Sequence, residues 1–334
     1  MPRSDPRMYP LVFEPSLHAK VWGGHRLEAR LGKKPATDQP IGESWEIYWR
    51  NRVANGPFKG ETLGDLISAY PEKMMGWLDA DPEFPLLVKF IDAQEWLSVQ
   101  VHPDDKLAAQ LEGQPRGKTE CWYVVDAAPG AQIAYGLSEA LDARSFRQVI
   151  EAGRVREVLQ YVDVAPGDFI SVPAGTLHAL GPGVLVYELQ QTSDTTYRVY
   201  DWDRVGLDGK PRELHIEKSL ICTRYDVRPQ AKVNYRIQND TPGIEISKLI
   251  HGPYFALDLL RLDRRNLGET TFTVEYEAAH TLTVIAGQVT LNDEKGRYTP
   301  VTLPTGTSAF IPFRLGPYSI VPDDRAEILQ GWQT

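Results

Sequence analysis

Gly167-Asp-Phe-Ile-Ser-Val-Pro173-Ala-Gly175-Thr-Leu-His178 is the stretch from which the rest of the chain can be read. An alternating run enters Pro-Ala-Gly, a combination that makes a tight turn, and a histidine follows directly. Far upstream, Ser98-Val-Gln100-Val-His102 sets a polar residue at every second position, and Lys118-Thr-Glu120 has the same spacing. A period of two puts Ser98, Gln100 and His102 on one face of a strand, and Lys118 with Glu120 on one face of another. On a helix, residues two apart point in nearly opposite directions. The expectation is three strands that turn Gln100, His102, Glu120 and His178 into the interior of a β-barrel, as a cage for one metal ion.

The surrounding sequence is that of a mainly β protein. Its 25 prolines and 27 glycines are spread along the chain and punctuate short Val-, Ile-, Tyr- and Phe-rich segments, the mark of a sandwich or barrel. Strands are expected at Pro85–Ile91, Trp96–Val101, Cys121–Val125, Phe169–Val172 and Val184–Glu188. Two helices are expected. One spans Glu61–Tyr70, with Leu63, Leu66 and Ile67 on one side and Pro71 ending it. The other spans Ser138–Ala152, with Leu141, Phe146, Val149 and Ile150 as its apolar stripe. It reads as a helical insertion, near 138–160, in the first barrel.

A weak internal repeat closes the chain. His280–Leu291 reads as a hairpin turning at Ala286-Gly287, and Gly306–Pro312 repeats the spacing of Gly167–Pro173. Phe-Arg-Leu-Gly-Pro follows Pro312 with no histidine, so the second barrel keeps the turn, lacks the ligand and has a packing role. The boundary is expected between about 227 and 246, where Pro229 and Pro242 fall among polar residues. This divides the chain into 1–230, an N-terminal region with the metal-binding barrel, and 231–334, a degenerate barrel.

Composition narrows the function. A chain of 334 residues with 42% hydrophobic content can bury a substantial core. A net charge of -9 argues against a nucleic-acid or anionic-membrane surface. Cys121 and Cys222 give neither a disulfide framework nor a thiolate cluster, and read as small buried hydrophobes. The start lacks the apolar core of a signal peptide and no run is long enough to span a bilayer, so the expectation is a soluble, cytoplasmic protein. Nitrogen and oxygen ligands without thiolates suit Zn²⁺, Fe²⁺, Mn²⁺ or Co²⁺. Zinc with an open coordination position is the expected ion. His18, His25, His215, His251 and His280 lack such company and read as structural.

These residues also carry a family resemblance. The Pro-x-Gly-x-x-His turn resembles the second metal motif of the cupin superfamily. Leu97-Ser-Val-Gln-Val-His-Pro-Asp-Asp105, Gly117-Lys-Thr-Glu120, Pro173–His178 and Glu188-Leu-Gln-Gln-Thr-Ser-Asp-Thr-Thr-Tyr-Arg-Val-Tyr-Asp201 together resemble the type I mannose-6-phosphate isomerases, in their short bacterial branch. The likeness runs from Trp22-Gly-Gly to the degenerate second barrel. It implies two cupin-type jelly-roll β-barrels, the first binding one zinc ion through Gln100, His102, Glu120 and His178. Arg198 matches the family's active-site arginine and Lys118 a lysine that handles substrate, while Ser98 and Lys89 match positions associated with the phosphate. Gln-x-His with a distant Glu departs from the general cupin motif and is this family's own variant.

The activity implied is interconversion of mannose 6-phosphate and fructose 6-phosphate, an aldose and a ketose, through a cis-enediolate. Cationic groups stabilise the developing oxyanion in such a reaction. Asp194 is a candidate base, or an orienting partner of Arg198; Glu188 and a metal-bound hydroxide are equally open as the base. The rival expectations are an iron-dependent cupin dioxygenase and a sugar-phosphate-binding cupin without turnover. No P-loop is present, which excludes a P-loop nucleotide-dependent kinase.

Overall fold

The computed structural model describes residues 6–36, 38–77, 81–225, 230–267, 272–274 and 278–334. Residues 227–229 of the expected boundary lie outside them. The first part of the chain forms β1 (Leu11–Val12), β2 (Ser16–Gly24), β3 (Ile41–Ile47), β4 (Leu86–Ala93), β5 (Val99–Val101) and β6 (Glu120–Ala127). It continues with β7 (Gln132–Leu137), β8 (Leu159–Asp163), β9 (Phe169–Val172), β10 (His178–Leu180), β11 (Val184–Gln191) and β12 (Tyr197–Tyr200). The second part forms β13 (Arg236–Thr241), β14 (Ile244–His251), β15 (Phe255–Asp263), β16 (Phe272–Val274) and β17 (His280–Ala286). It ends with β18 (Gln288–Asn292), β19 (Val301–Pro304), β20 (Ser308–Ile311), β21 (Tyr318–Pro322) and β22 (Arg325–Gln333).

These strands make four antiparallel sheets, two from the first part of the chain and two from the second, one of which takes β1 as an edge strand. A six-stranded sheet, β2-β3-β4-β11-β6-β9, faces a five-stranded one, β12-β5-β10-β7-β8, across a core that includes Ile91, Trp122, Val186, Tyr135 and Leu180. A seven-stranded sheet, β1-β20-β17-β22-β15-β14-β13, faces the four-stranded β16-β21-β18-β19. Among the described residues the paired sheets are not joined into a closed ring, so each expected barrel is an open, two-sheet jelly roll. The two large sheets also pack back to back. Cys121, Tyr187 and Leu189 share a core with Leu257, Leu282 and Phe310, and a Cβ on Gly331 would sit 3.1 Å from Leu189. Every residue of β4 is therefore buried, because both its faces are covered.

The Gly-x₅-Pro repeat proves to be a structural repeat. Glu120 on β6 pairs with Val172, the residue before Pro173, and with Gln190 on β11. His280 on β17 pairs with Ile311, the residue before Pro312, and with Trp332 on β22. The two halves thus share strand order and register around the turn.

Helices decorate the sheets. Leu63–Ala69 starts with a Thr62/Asp65 capping box, and Pro71 both ends it and opens a further helix, Pro71–Met75. Ala143–Glu151, capped by Asp142, buries Phe146 within the expected insertion. Further helices, among them Arg26–Leu31, Asp105–Glu112 and Ile216–Cys222, carry too few apolar repeats to stand out in the sequence. No helix among the described residues is long and apolar enough to cross a membrane.

Candidate metal centre and its cleft

β5 lies between β10 and β12, so Gln100 is opposite both His178 and Arg198. His102 follows at the end of β5, and Glu120 arrives from the facing sheet at the start of β6. Lys118 lies two residues before β6, short of the strand expected for it. Gly117 lets that segment lie against the chain after His102, since a Cβ there would sit 2.4 Å from Pro103 O. The Lys118 amide then donates to the same carbonyl at 2.9 Å. Close approach of two backbones delivers Lys118 and Glu120 beside His102.

His102, Glu120 and His178 are buried, and one donor atom from each falls within 4.8 Å of the others. Glu120 Oε1 is 3.1 Å from His178 Nε2, and Oε2 is 3.5 Å from His102 Nε2. Each histidine is oriented from behind: His102 Nδ1 is 2.9 Å from Thr195 O, and His178 Nδ1 is 2.9 Å from Thr176 O. A carbonyl can only accept, so both Nδ1 atoms carry the proton and both Nε2 lone pairs point into the site, the tautomer a metal requires. Burial, reinforced by the Lys118 ammonium, lowers His102 to about 3, so it is neutral at physiological pH. Burial alone would raise Glu120, but the Lys118 ammonium outweighs it and holds the carboxyl well below its ordinary range. Lys118 Nζ is 2.8 Å from Glu120 Oε2, yet neither carboxylate oxygen has an aligned hydrogen-bond donor. Two inward imidazole nitrogens and a buried carboxylate with spare lone pairs fit a divalent transition metal. Gln100 directs its amide nitrogen to within 3.3 Å of His178 Nε2 while its oxygen accepts from Ser98 Oγ at 3.4 Å. Rotating the amide by 180° offers the oxygen instead, with no change of shape.

A cleft of about 390 Å³ opens onto this group, lined by Ser98, Gln100, Lys118, His178, Lys89, Asp194 and Arg198 among others. Every expected site residue therefore borders the cleft or belongs to the buried group beside it. Asp194 is exposed at the mouth. Arg198 Nη1 donates to Glu213 O at 2.7 Å, while its buried Nε has no partner. Lys89 is enclosed, with Nζ 2.9 Å from Glu188 Oε1 and 4.0 Å from Glu43 Oε2. Glu188 accepts from Trp122 Nε1 at 2.7 Å.

Sequence reading missed part of the cleft. Glu43 and Trp45 face it from β3, where polar Ser44 and Glu46 interleave with them and leave no polar-apolar alternation to mark a face. Burial raises Glu43, but Lys89 and Lys20 reverse this and lower it to about 2. His18, expected to be structural, lines the cleft with its ring 4.5 Å from that of Trp45. His215 buttresses Arg198, accepting from its amide at 3.2 Å.

Comparison with known proteins gives consistent matches. Residues 11–129 match the family model for the phosphomannose isomerase type I catalytic domain. The mannose-6-phosphate isomerase of Streptococcus mutans is 42% identical over 258 residues, 74% of this chain and 77% of that protein. The crystal structure of the Bacillus subtilis mannose 6-phosphate isomerase superposes with a TM-score of 0.85 at 31% identity, covering 97% of this chain and 99% of the other. A mannose 6-phosphate isomerase bound with zinc and yttrium has a TM-score of 0.75 at 17% identity, covering 98% of this chain and 100% of that one; it shares the fold.

Proposed function

This chain belongs to the type I phosphomannose isomerases, and from that membership we propose that it interconverts mannose 6-phosphate and fructose 6-phosphate in the cleft above. The observation carrying this reading is the junction of a buried His-Glu-His group with a cleft bearing Lys118, Arg198 and the carboxylates of Glu43, Glu188 and Asp194. We assign His102, Glu120 and His178 as ligands of one Zn²⁺, with Gln100 as the fourth. Zinc bound there polarises sugar oxygens as a Lewis acid, an effect of several kcal/mol on developing negative charge.

The protein's own groups do the rest. Isomerisation breaks the C2–H bond of the open-chain aldose; its electron pair forms the C1–C2 double bond and the carbonyl electrons move to O1. A proton then passes from O2 to O1; as the O2 electrons form the C2 carbonyl, the C1–C2 π pair takes a proton at C1, which completes the ketose. Lys118 and Arg198 stabilise the negative charge that builds on the oxygens, Arg198 as a fixed cation. Of the cleft carboxylates, Glu188, buried in the wall, and Asp194, exposed at its mouth, are proposed to carry the proton. The Ser98 hydroxyl is proposed as a substrate contact on the same wall.

Solvent deuterium exchange tests this reading. Mannose 6-phosphate incubated with wild type in D₂O gains deuterium in the product. His178→Ala loses about 100-fold or more of the exchange rate, because the loss of one ligand weakens the metal site. An unaltered rate in the variant contradicts the assignment.

A further inference from the structure

Charge alternates without a break from the rim of the cleft to the metal-ligating carboxylate. Lys20 Nζ is 3.2 Å from Glu43 Oε1, and Lys89 stands between Glu43 and Glu188 at 4.0 and 2.9 Å. Lys118 is 3.9 Å from that same Glu188 oxygen and 2.8 Å from Glu120. Three ammonium groups and three carboxylates thus neutralise one another in sequence, which is how a protein holds so many charges out of water.

Lys89 is the centre of this row. β-sheet register sets it opposite Glu188 on β11 and opposite Trp45 on β3, and its side chain is only 8% exposed. Both neighbouring carboxylates are also held by indoles, Glu43 by Trp45 Nε1 and Glu188 by Trp122 Nε1, each at 2.7 Å. Burial disfavours the ammonium, but Glu188, Glu43 and Glu120 outweigh it and raise Lys89 above the ordinary lysine range. The charge is permanent and already matched. A phosphate dianion reaching Lys89 would meet the Glu43 and Glu188 carboxylates at the same point, and like charges in close contact repel strongly. Arg198, by contrast, has no carboxylate partner among the described ion pairs and keeps an unsatisfied Nε.

We propose that Lys89 is a positioning residue for the isomerisation, fixing the Glu188 carboxylate in the cleft wall, and that it does not bind the substrate phosphate. The inference rests on the functional reading above and departs from the phosphate role that the family resemblance implies for Lys89. It separates two quantities that a phosphate ligand would join. Removing a phosphate contact weakens phosphate binding, whereas releasing Glu188 slows turnover at saturating substrate.

The test uses Lys89→Met and Lys89→Arg in the zinc-loaded full chain, reading kcat for mannose 6-phosphate, inhibition by inorganic phosphate and metal content. Lys89→Met is expected to lower kcat by ~100-fold, as misplacement of a catalytic group by about 1 Å does. Its phosphate inhibition constant stays within about twofold of wild type, a shift far below what loss of a charge-assisted contact gives. Metal content is unchanged, and Lys89→Arg has an intermediate kcat with the same inhibition constant. A weakened phosphate inhibition with kcat intact overturns the proposal, and so does no change in either quantity. If Lys89→Met does not fold, Lys89→Arg decides: reduced kcat with unchanged inhibition supports it, any other pattern overturns it. Wild-type turnover, measured alongside, is what the functional reading requires, and it can hold while this inference fails.

Discussion

Glu120 and His280 occupy the same place in the two halves of the molecule, and their surroundings differ in kind. Both face the residue before a Gly-x₅-Pro proline, and each meets a side chain from the strand after the turn. In the first half that partner is His178, 3.1 Å from Glu120. In the second it is Tyr318, whose hydroxyl is 2.7 Å from His280 Nε2. The register equates further pairs. Glu188 and Lys89 correspond to Gln330 and Asp258, and Gln190 to Trp332. One scaffold therefore supports an interior that gathers a His-Glu-His group and one where the equivalent place holds a hydrogen-bonded His-Tyr pair. Strand order sets where side chains meet; the side chains alone decide whether a cation can be held there.

The largest expected effect follows from exchanging the carboxylate. Glu120→Gln keeps the shape and removes the anion, so the account predicts loss of bound zinc and a fall in kcat/KM of about 100-fold or more. His280→Gln at the equivalent place leaves both unchanged. Similar losses from the two variants would erase the distinction between the halves.

Acidity sharpens the contrast next. Burial lowers His280 to about 4, so the folded protein keeps it neutral, while the unfolded chain takes up a proton near 6.5. A depressed folded value stabilises the native state above the unfolded value, and that stability is lost as pH falls from 6.5 through about 4. The loss is of order 3 kcal/mol. Chemical unfolding of zinc-free protein across this window should be less steeply pH-dependent in His280→Gln than in wild type. Parallel curves would show that His280 is not the group concerned.

Arg198 sits opposite Gln100 across one strand pair and gives a moderate effect. Arg198→Lys retains charge and loses the planar fork, so kcat should fall about tenfold with an unshifted unfolding midpoint. A midpoint that falls along with activity would make the arginine structural. The smallest effect is Tyr318→Phe. Loss of its hydrogen bond to His280 costs about 1 kcal/mol of stability, read by denaturant titration, with isomerisation unchanged. Impaired isomerisation in this variant would tie the second half to the chemistry.

The contrast also explains what the sequence could disclose. Gln100, His102 and Glu120 were legible because a strand's period of two fixes which face a side chain takes, and the Pro-x-Gly turn announced His178. The repeat at Gly306–Pro312 was legible for the same reason, as was the absence of a histidine after it. The acidic partners of Lys89 were harder to find. Glu43 and Glu188 lie far from it along the chain and meet it only through sheet pairing, which no local pattern encodes. Lys89 read from sequence alone was an isolated cation in an apolar strand, and it took a family resemblance to give it a phosphate. The short helices at Arg26–Leu31 and Ile216–Cys222 were missed because six or seven residues carry too little periodicity to distinguish them from loops. The open, two-sheet form of each half was equally hidden, since a strand's sequence does not say whether its sheet closes.

The central claim is that one half of this duplicated fold binds a metal ion and the other does not. Anomalous diffraction at the zinc edge from zinc-loaded crystals tests it most directly. The account predicts one strong peak about 2.0–2.2 Å from His102 Nε2, His178 Nε2 and a Glu120 oxygen. A first half without a peak there, or a peak between His280 and Tyr318, would contradict it.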